Sequence, residues 1–377
     1  MVTKMVKIAI LGLGIVGTGV AKVLEENRTA ITAATGEEIV LKYALVRHAR
    51  IDSPYQSVLT TDFSVIESDP EVSVVVETIG GCGAAKDYTE RCLKAGKHVI
   101  TANKALVSEY GRGLLELARQ NRVSYLFEAS VGGGTPLIRP MYFDLAANNI
   151  TEIKGIVNGT TNYILSCMRE REMTFDTALR HAQEKGYAEA NPEDDINGQD
   201  AARKLSILAA LAWHRELPPQ RVNRLGLENF QLKDVQIAST FGGRFKLVAQ
   251  AKMLPDGNLA SWVAPQLVMP GSMLYAVEYV FNGIIVTGDK VGDVMFCATG
   301  AGGVPTASSV LSDLIHILQH RGNRLDIAWD EAPETWGQAP SVATRWYVRD
   351  GVHWSLTMPM TREEVQKYPV HYRVLDT

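Results

Sequence analysis

The run Gly12-Leu13-Gly14-Ile15-Val16-Gly17 constrains this chain more than any other stretch. An apolar segment at 6–11 precedes it, and apolar residues at helical spacing follow over 15–27. The three glycines therefore fall at a turn from strand to helix. At such a turn Gly12 permits the tight reversal, Gly14 lets a pyrophosphate approach the backbone, and Gly17 lets helix and strand pack closely. Ile15 and Val16 carry the first amides of the helix, which have no intrahelical acceptor and face an anion. Lys4 and Lys7 ahead of the run 8–20 resemble a signal peptide only superficially. Gly12, Gly14, Gly17 and Gly19 interrupt that run, charged residues from Lys22 to Arg28 continue the pattern, and no stretch reaches the ~18 apolar residues of a spanning helix.

Short apolar segments then alternate with helical ones. Strands are predicted at 6–11, 39–46, 72–77, 98–101 and 124–129, with helices at 15–27, 86–94 and 111–120. The continuous Val content of 72–76 suits a strand buried on both faces, and the alternation predicts a parallel sheet covered by helices. The fold class is α/β, a Rossmann-type dinucleotide-binding domain over 1–135. A glycine-rich boundary at 132–136 leads into a second, α+β domain over 136–299. Its predicted elements are a helix at 136–147, a strand at 150–157, helices at 163–172, 175–185 and 198–213, and strands at 245–251, 274–281 and 283–287. A last helix is predicted at 306–319. Residues 321–377 are polar, rich in Trp and Pro, and show no clear period, so they form an extension without an assigned role.

The end of the second strand reads Ala44-Leu45-Val46-Arg47-His48-Ala49-Arg50. A site for NAD places a carboxylate there to bond the ribose 2′-hydroxyl. Arg47 and Arg50 instead favour a 2′-phosphate, hence NADP, with NAD still possible.

The acidic segment from Gly186 to Lys204 opens the most polar part of the second domain. Asp200 and Lys204 lie four residues apart on one helix face, so the carboxylate can orient the lysine. Leu205, Ile207, Leu208 and Leu211 make the rest of that helix apolar. A lysine held beside a carboxylate in such a setting can move a proton. Lys104 follows the strand at 98–101, on the carboxyl-end side of the sheet where ligands bind.

Composition narrows the partners. With 38 Lys and Arg against 42 Asp and Glu, the chain has no electrostatic reason to bind nucleic acid or an anionic membrane. Four scattered cysteines show no metal-type spacing and suit a reducing compartment, so the cytoplasm is expected.

Seven segments in order resemble homoserine dehydrogenase over roughly residues 5–320: ILGLGIVGTGV, VVVETIGG, GKHVITANKALV, FEASVGGGTPLI, GIVNGTTNYIL, GYAEANPEDDINGQDAARKLSILA and TGAGGVPTASSVLSDL. The resemblance implies NAD(P)-dependent interconversion of L-homoserine and L-aspartate 4-semialdehyde, in threonine and methionine biosynthesis. It places the catalytic lysine on Lys204, its orienting carboxylate on Asp200, and a lysine between cofactor and substrate on Lys104. Glu189, Asp195, Gly186 and Thr160 match residues around the substrate. Thr78 and Gly302 join the cofactor site, and the last helix, at about 300–320, completes the first domain. Glu128, Val131, Gly133 and Thr135 look like a structural sodium site made mostly of backbone carbonyls. A homodimer or higher homo-oligomer is implied, with its interface in the 245–287 strands. No aspartokinase module is expected before residue 1, and the residues after His320 are too few for a full ACT domain, so threonine inhibition through one is not expected. On the residues alone, another amino-acid-type NAD(P) dehydrogenase and a catalytically silent NADP-binding sensor remain alternatives; the retained Asp200/Lys204 pair argues against the sensor.

Overall fold

The computed structural model describes residues 4–48, 53–228, 230–321, 325–336 and 343–376. They form two compact units, one of residues 1–144, 214–216 and 301–330, the other of 145–213, 217–300 and 331–377.

The first unit is built on six parallel strands, β1 (Lys4–Leu11), β2 (Glu37–Leu45), β3 (Leu59–Thr60), β4 (Val72–Glu77), β5 (His98–Thr101) and β6 (Tyr125–Leu126), in the order β3-β2-β1-β4-β5-β6. Ile8, Ile10, Val74 and Val76 are fully buried in the centre of this sheet, as strands with helices on both faces require. Helix Ile15–Glu26 packs Val20, Val23 and Leu24 on that core, and helix Gly303–Gln319 adds Ala307, Val310, Leu311 and Leu314. The helix expected at 306–319 thus belongs to this unit. The helix expected at 111–120 runs over Lys104–Gln120, starting seven residues earlier than the apolar pattern suggests, because Asn103 caps it by accepting from the Leu106 amide. The fifth expected strand keeps only β6 and then tightens into a 3-10 turn at Glu128–Ser130. The helix expected at 136–147 shortens to Ile138–Tyr142.

The second unit carries a nine-stranded mixed sheet: β7 (Ile150–Ile156), β8 (Asn223–Arg224), β9 (Arg244–Met253), β10 (Leu259–Val268), β11 (Phe281–Gly288), β12 (Gly292–Thr299), β13 (Trp346–Asp350), β14 (His353–Leu356) and β15 (Val370–Leu375). Its order is β12-β11-β7-β9-β10-β15-β13-β14, with β8 also on β10. The strand expected at 274–281 is not formed. The Ser272 hydroxyl accepts from the Leu274 amide and starts a 3-10 turn at Met273–Ala276, and Tyr279 takes a positive φ of 54°. Both break extended backbone, so the strand begins only at Phe281. β10 was not expected, since it contains Pro265, which interrupts a strand pattern. The C-terminal residues are no loose extension: β15 pairs in parallel with β10 and antiparallel with β13. Helices Gly159–Arg171, Phe175–Glu184 and Gln199–Trp213 belong to the same unit.

Candidate active site

In the first unit the glycine turn has the shape the sequence predicts. Gly12 sits at φ 94°, and a Cβ there would lie 2.9 Å from the Thr78 carbonyl oxygen. A Cβ on Gly17 would collide with the Gly12 carbonyl oxygen. Gly14, by contrast, faces open space, and among the described residues no side chain caps the amides that begin the helix beside it. Ile15 is 81% exposed, and Val16 packs on the core. The Thr78 hydroxyl donates to the Gly12 carbonyl at 2.6 Å and so braces the turn from β4. These are the features of a cradle for a pyrophosphate: close backbone, free amides and no Cβ in the way. Gly302, at φ 125°, precedes the helix whose Gly303 carbonyl leaves no room for a Cβ on Gly19.

Beyond the end of β4 and β5 a buried polar chain fixes the next helix. The Thr101 hydroxyl donates to Glu77 Oε2 at 2.5 Å and accepts from the Asn103 amide at 2.9 Å, and Asn103 Nδ2 donates to the Gly81 carbonyl at 2.6 Å. Burial pushes the Glu77 carboxyl up, against the hydroxyl of Thr101 and the amides of Ile79 and Gly80. Half-buried Lys104 is the first residue of the helix that Asn103 caps. Arg47 is exposed just past β2. Arg50 lies outside the described residues.

In the second unit Lys204 Nζ lies 2.8 Å from Asp200 Oδ2 and donates to the Val157 carbonyl at 2.7 Å. Both side chains are buried, unlike a solvated helix-surface pair. Asn158 joins them. Its Oδ1 caps the Gly159–Arg171 helix by accepting from the Thr161 amide and hydroxyl, both at 2.8 Å. That cap fixes which end of the amide is oxygen, so Nδ2 points the other way. There it donates to Asp200 at 2.9 Å and to Asp195 at 2.6 Å. Asn282, fully buried, donates to the same Val157 carbonyl that receives Lys204, at 3.2 Å. Sequence reasoning assigned neither Asn158 nor Asn282 to the site. Their role there depends on partners 37 to 125 residues away, which no local pattern encodes. The Thr160 hydroxyl donates to the Tyr187 carbonyl at 2.8 Å and ties down the loop that follows Gly186. Asp195 is half-buried, while Gly186 and Glu189 are exposed on that loop.

The loop after β6 gathers oxygen atoms. The Glu128 carboxylate is committed to the amides of Leu137, Ile138 and Arg139, at 2.6, 2.8 and 2.9 Å. Val131 and Gly133 are buried, the Gly133 carbonyl accepts from Ser309, and the buried Thr135 hydroxyl has no hydrogen-bond partner among the described residues.

The profile described as "Homoserine dehydrogenase, NAD binding domain" matches residues 12–128, which span the glycine turn. The profile "Homoserine dehydrogenase" matches residues 136–315, which hold Asp200 and Lys204. A homoserine dehydrogenase of Synechocystis sp. is 41% identical over 322 residues, 83% of this chain and 73% of its own. The crystal structure of a homoserine dehydrogenase from Thiobacillus denitrificans superposes with a TM-score of 0.88 at 32% identity, over 99% of both chains. A hyperthermophilic archaeal homoserine dehydrogenase in complex with NADPH matches with a TM-score of 0.69 at 26% identity, over 82% of this chain and 97% of its own. With a nucleotide cradle in one unit, a buried carboxylate–lysine pair in the other, and both halves matched in order, the chain belongs to the homoserine dehydrogenase family.

Proposed function

We propose that this oxidoreductase interconverts L-homoserine and L-aspartate 4-semialdehyde with Lys204 as the proton-transferring group and NADP as the preferred cofactor. One observation carries the role of Lys204. An ammonium has three N–H donors, and two are held by Asp200 and the Val157 carbonyl. The third meets no acceptor among the described residues and is left for a substrate oxygen, with direction set by the other two. Gly12, Gly14, Ile15, Val16, Gly17, Thr78 and Gly302 would hold the dinucleotide, which supplies the hydride when bound. As the aldehyde carbon accepts that hydride, negative charge grows on the aldehyde oxygen. Lys204 stabilises it and gives up its proton, and the neutral amine is reprotonated from water. Asp200 and Asn158 orient the lysine; Lys104, at its capped helix start, is assigned to the same reaction. Asp195 and Glu189 supply negative charge for the substrate's α-ammonium group, beside Gly186 and Thr160.

The NADP preference rests on Arg47 and Arg50 in place of an acidic residue after β2. A sodium ion at Glu128, Val131, Gly133 and Thr135 is supported by the buried Thr135 hydroxyl, which has no partner among the described residues, beside a Glu128 carboxylate already bonded to three amides. The ion would be structural there. The homodimer, or a higher homo-oligomer, is supported by the family resemblance. Cytoplasmic location is supported by four scattered cysteines, Cys82, Cys92, Cys167 and Cys297, with no CxxC pair among them. Among the described residues no helix is long and apolar enough to cross a membrane.

The test is a spectrophotometric assay with L-homoserine and either NADP or NAD. Turnover with a higher kcat/KM for NADP is expected. A higher value for NAD overturns the cofactor reading, and no turnover of homoserine overturns the substrate.

A further inference from the structure

β10 changes partner along its length. Trp262 and Val263 pair with Asn223 and Arg224 of β8, and residues 266–268 pair with 373–375 of β15. Pro265, which has no amide to give, falls between the two pairings. A cavity of ≈ 120 Å³ opens at this gap, lined by Asn223, Arg224, Trp262, Arg362, His371 and Arg373 among others.

Arg373 is the unusual group. It is 8% exposed, and its guanidinium lies 4.4 Å from the ring centre of Trp262 and 4.8 Å from that of Trp346. Such contacts engage the faces of the guanidinium and leave its in-plane N–H donors. Among the described residues, no acceptor takes a hydrogen bond from Arg373 and no carboxylate pairs with it. Burial, then the positive charge of Arg362, pulls it down to about 10, so it stays charged at neutral pH. A buried cation without an acceptor is costly. Trp262 Nε1 is a second buried donor with no partner among the described residues.

We propose that this cavity binds a small dicarboxylate that carries no ammonium group. A carboxylate offers two coplanar acceptors to the in-plane donors of Arg373. Arg362 and Arg224, at more exposed positions, meet the second carboxylate. Among the described residues no Asp or Glu lines the cavity, so an ammonium would find no counter-charge there. Size agrees: a cavity of roughly 150 Å³ holds a benzene ring, which leaves room here for a succinate-sized ion and excludes a nucleotide. The short helix Arg362–Val365 offers no open anion site, because Thr361 and Glu364 already cap each other.

Calorimetric titration of the full chain with succinate, at ionic strength matched with chloride, tests this site. One succinate per chain is expected, with γ-aminobutyrate, where an ammonium replaces one carboxylate, not binding. Arg373→Gln is expected to weaken succinate by at least about tenfold, as for a lost charge-assisted contact. Since Arg373 is buried, exposed Arg362→Gln provides a variant that keeps the core and is expected to weaken binding severalfold. Absence of saturable heat overturns the proposal, as does succinate binding unchanged in both variants, or equal binding of inorganic phosphate. Sedimentation distinguishes the other source of a carboxylate: if Arg373→Gln dissociates an oligomer and succinate does not bind, the guanidinium pairs with an acidic side chain of a second copy, and the free-ligand site is overturned.

Discussion

At the glycine turn, three glycines within six consecutive residues set the geometry by having no side chain, so that Gly14 opens to solvent while Gly12 and Gly17 crowd neighbouring backbone. Around Lys204 the geometry is set by side chains from distant segments: Asp200, Asn158 and Asn282 meet through the Val157 carbonyl and the Asp200 carboxylate. The first is a local device and the second a non-local one. They should therefore fail differently, the turn through nucleotide affinity and the buried pair through the chemical step.

The sharpest test of that difference is Lys204→Ala. Turnover is expected to fall by at least ~100-fold, the usual scale for a lost general acid. Nucleotide binding, followed by fluorescence, should survive, because the cradle belongs to the other unit. Near-normal turnover would remove Lys204 from the chemistry. The converse change is Gly17→Ala. Its Cβ would strike the Gly12 carbonyl and lie 2.8 Å from the Thr78 hydroxyl, so the turn must open. The nucleotide KM is expected to rise by about tenfold or more, a loss on the order of 1.4 kcal/mol, while kcat at saturating nucleotide changes much less. A fall in kcat alone would contradict a binding role.

Asn158→Ser probes the non-local device more finely. Serine caps a helix about as well as asparagine, so the Thr161 amide keeps an acceptor and stability should change little. The Nδ2 donor that ties Asp200 to Asp195 is lost. We expect kcat to fall about tenfold with KM for nucleotide unchanged, an effect near that of one charge-assisted hydrogen bond. An unchanged kcat would reduce Asn158 to a cap.

What was legible in the sequence follows the same division. The glycine turn, β1, β2, β4 and β5 could be read because contiguous residues carry strand and turn signals. Asp200 and Lys204 could be paired because four residues on a helix share a face, yet whether that face was wet or buried was decided by β7 and the Asn158 turn. The 274–281 segment misled because its apolar residues hide a Ser272 cap and the positive φ of Tyr279. β10 and β15 escaped notice for a related reason. Pro265 is tolerated where β10 changes partner, and a charged residue such as Arg373 is buried in β15 only because Trp262 and Trp346 cover its guanidinium.

The smallest expected effect separates the two units by pH. In the first unit, His316 on the Gly303–Gln319 helix is pulled down to about 4 by burial, with help from His320, whose ring stacks on it at 4.3 Å, and from Arg139. In the second, burial pulls Lys246 down to about 8, against the attraction of Glu278 at 3.0 Å. Both values lie below those of an unfolded chain, so between the folded and unfolded values the unfolded state binds more protons. The His316 contribution is full above about 6.5 and is lost as pH falls toward 4. That of Lys246 is full above about 10.5 and is lost as pH falls toward 8. His316→Gln should therefore flatten the decline in urea midpoint between pH 6.5 and 4 and leave the pH 8 to 10.5 range untouched. If the acid-side slope persists in that variant, the sensitivity of the first unit lies elsewhere, and the helix that backs the glycine turn gains nothing from keeping His316 neutral.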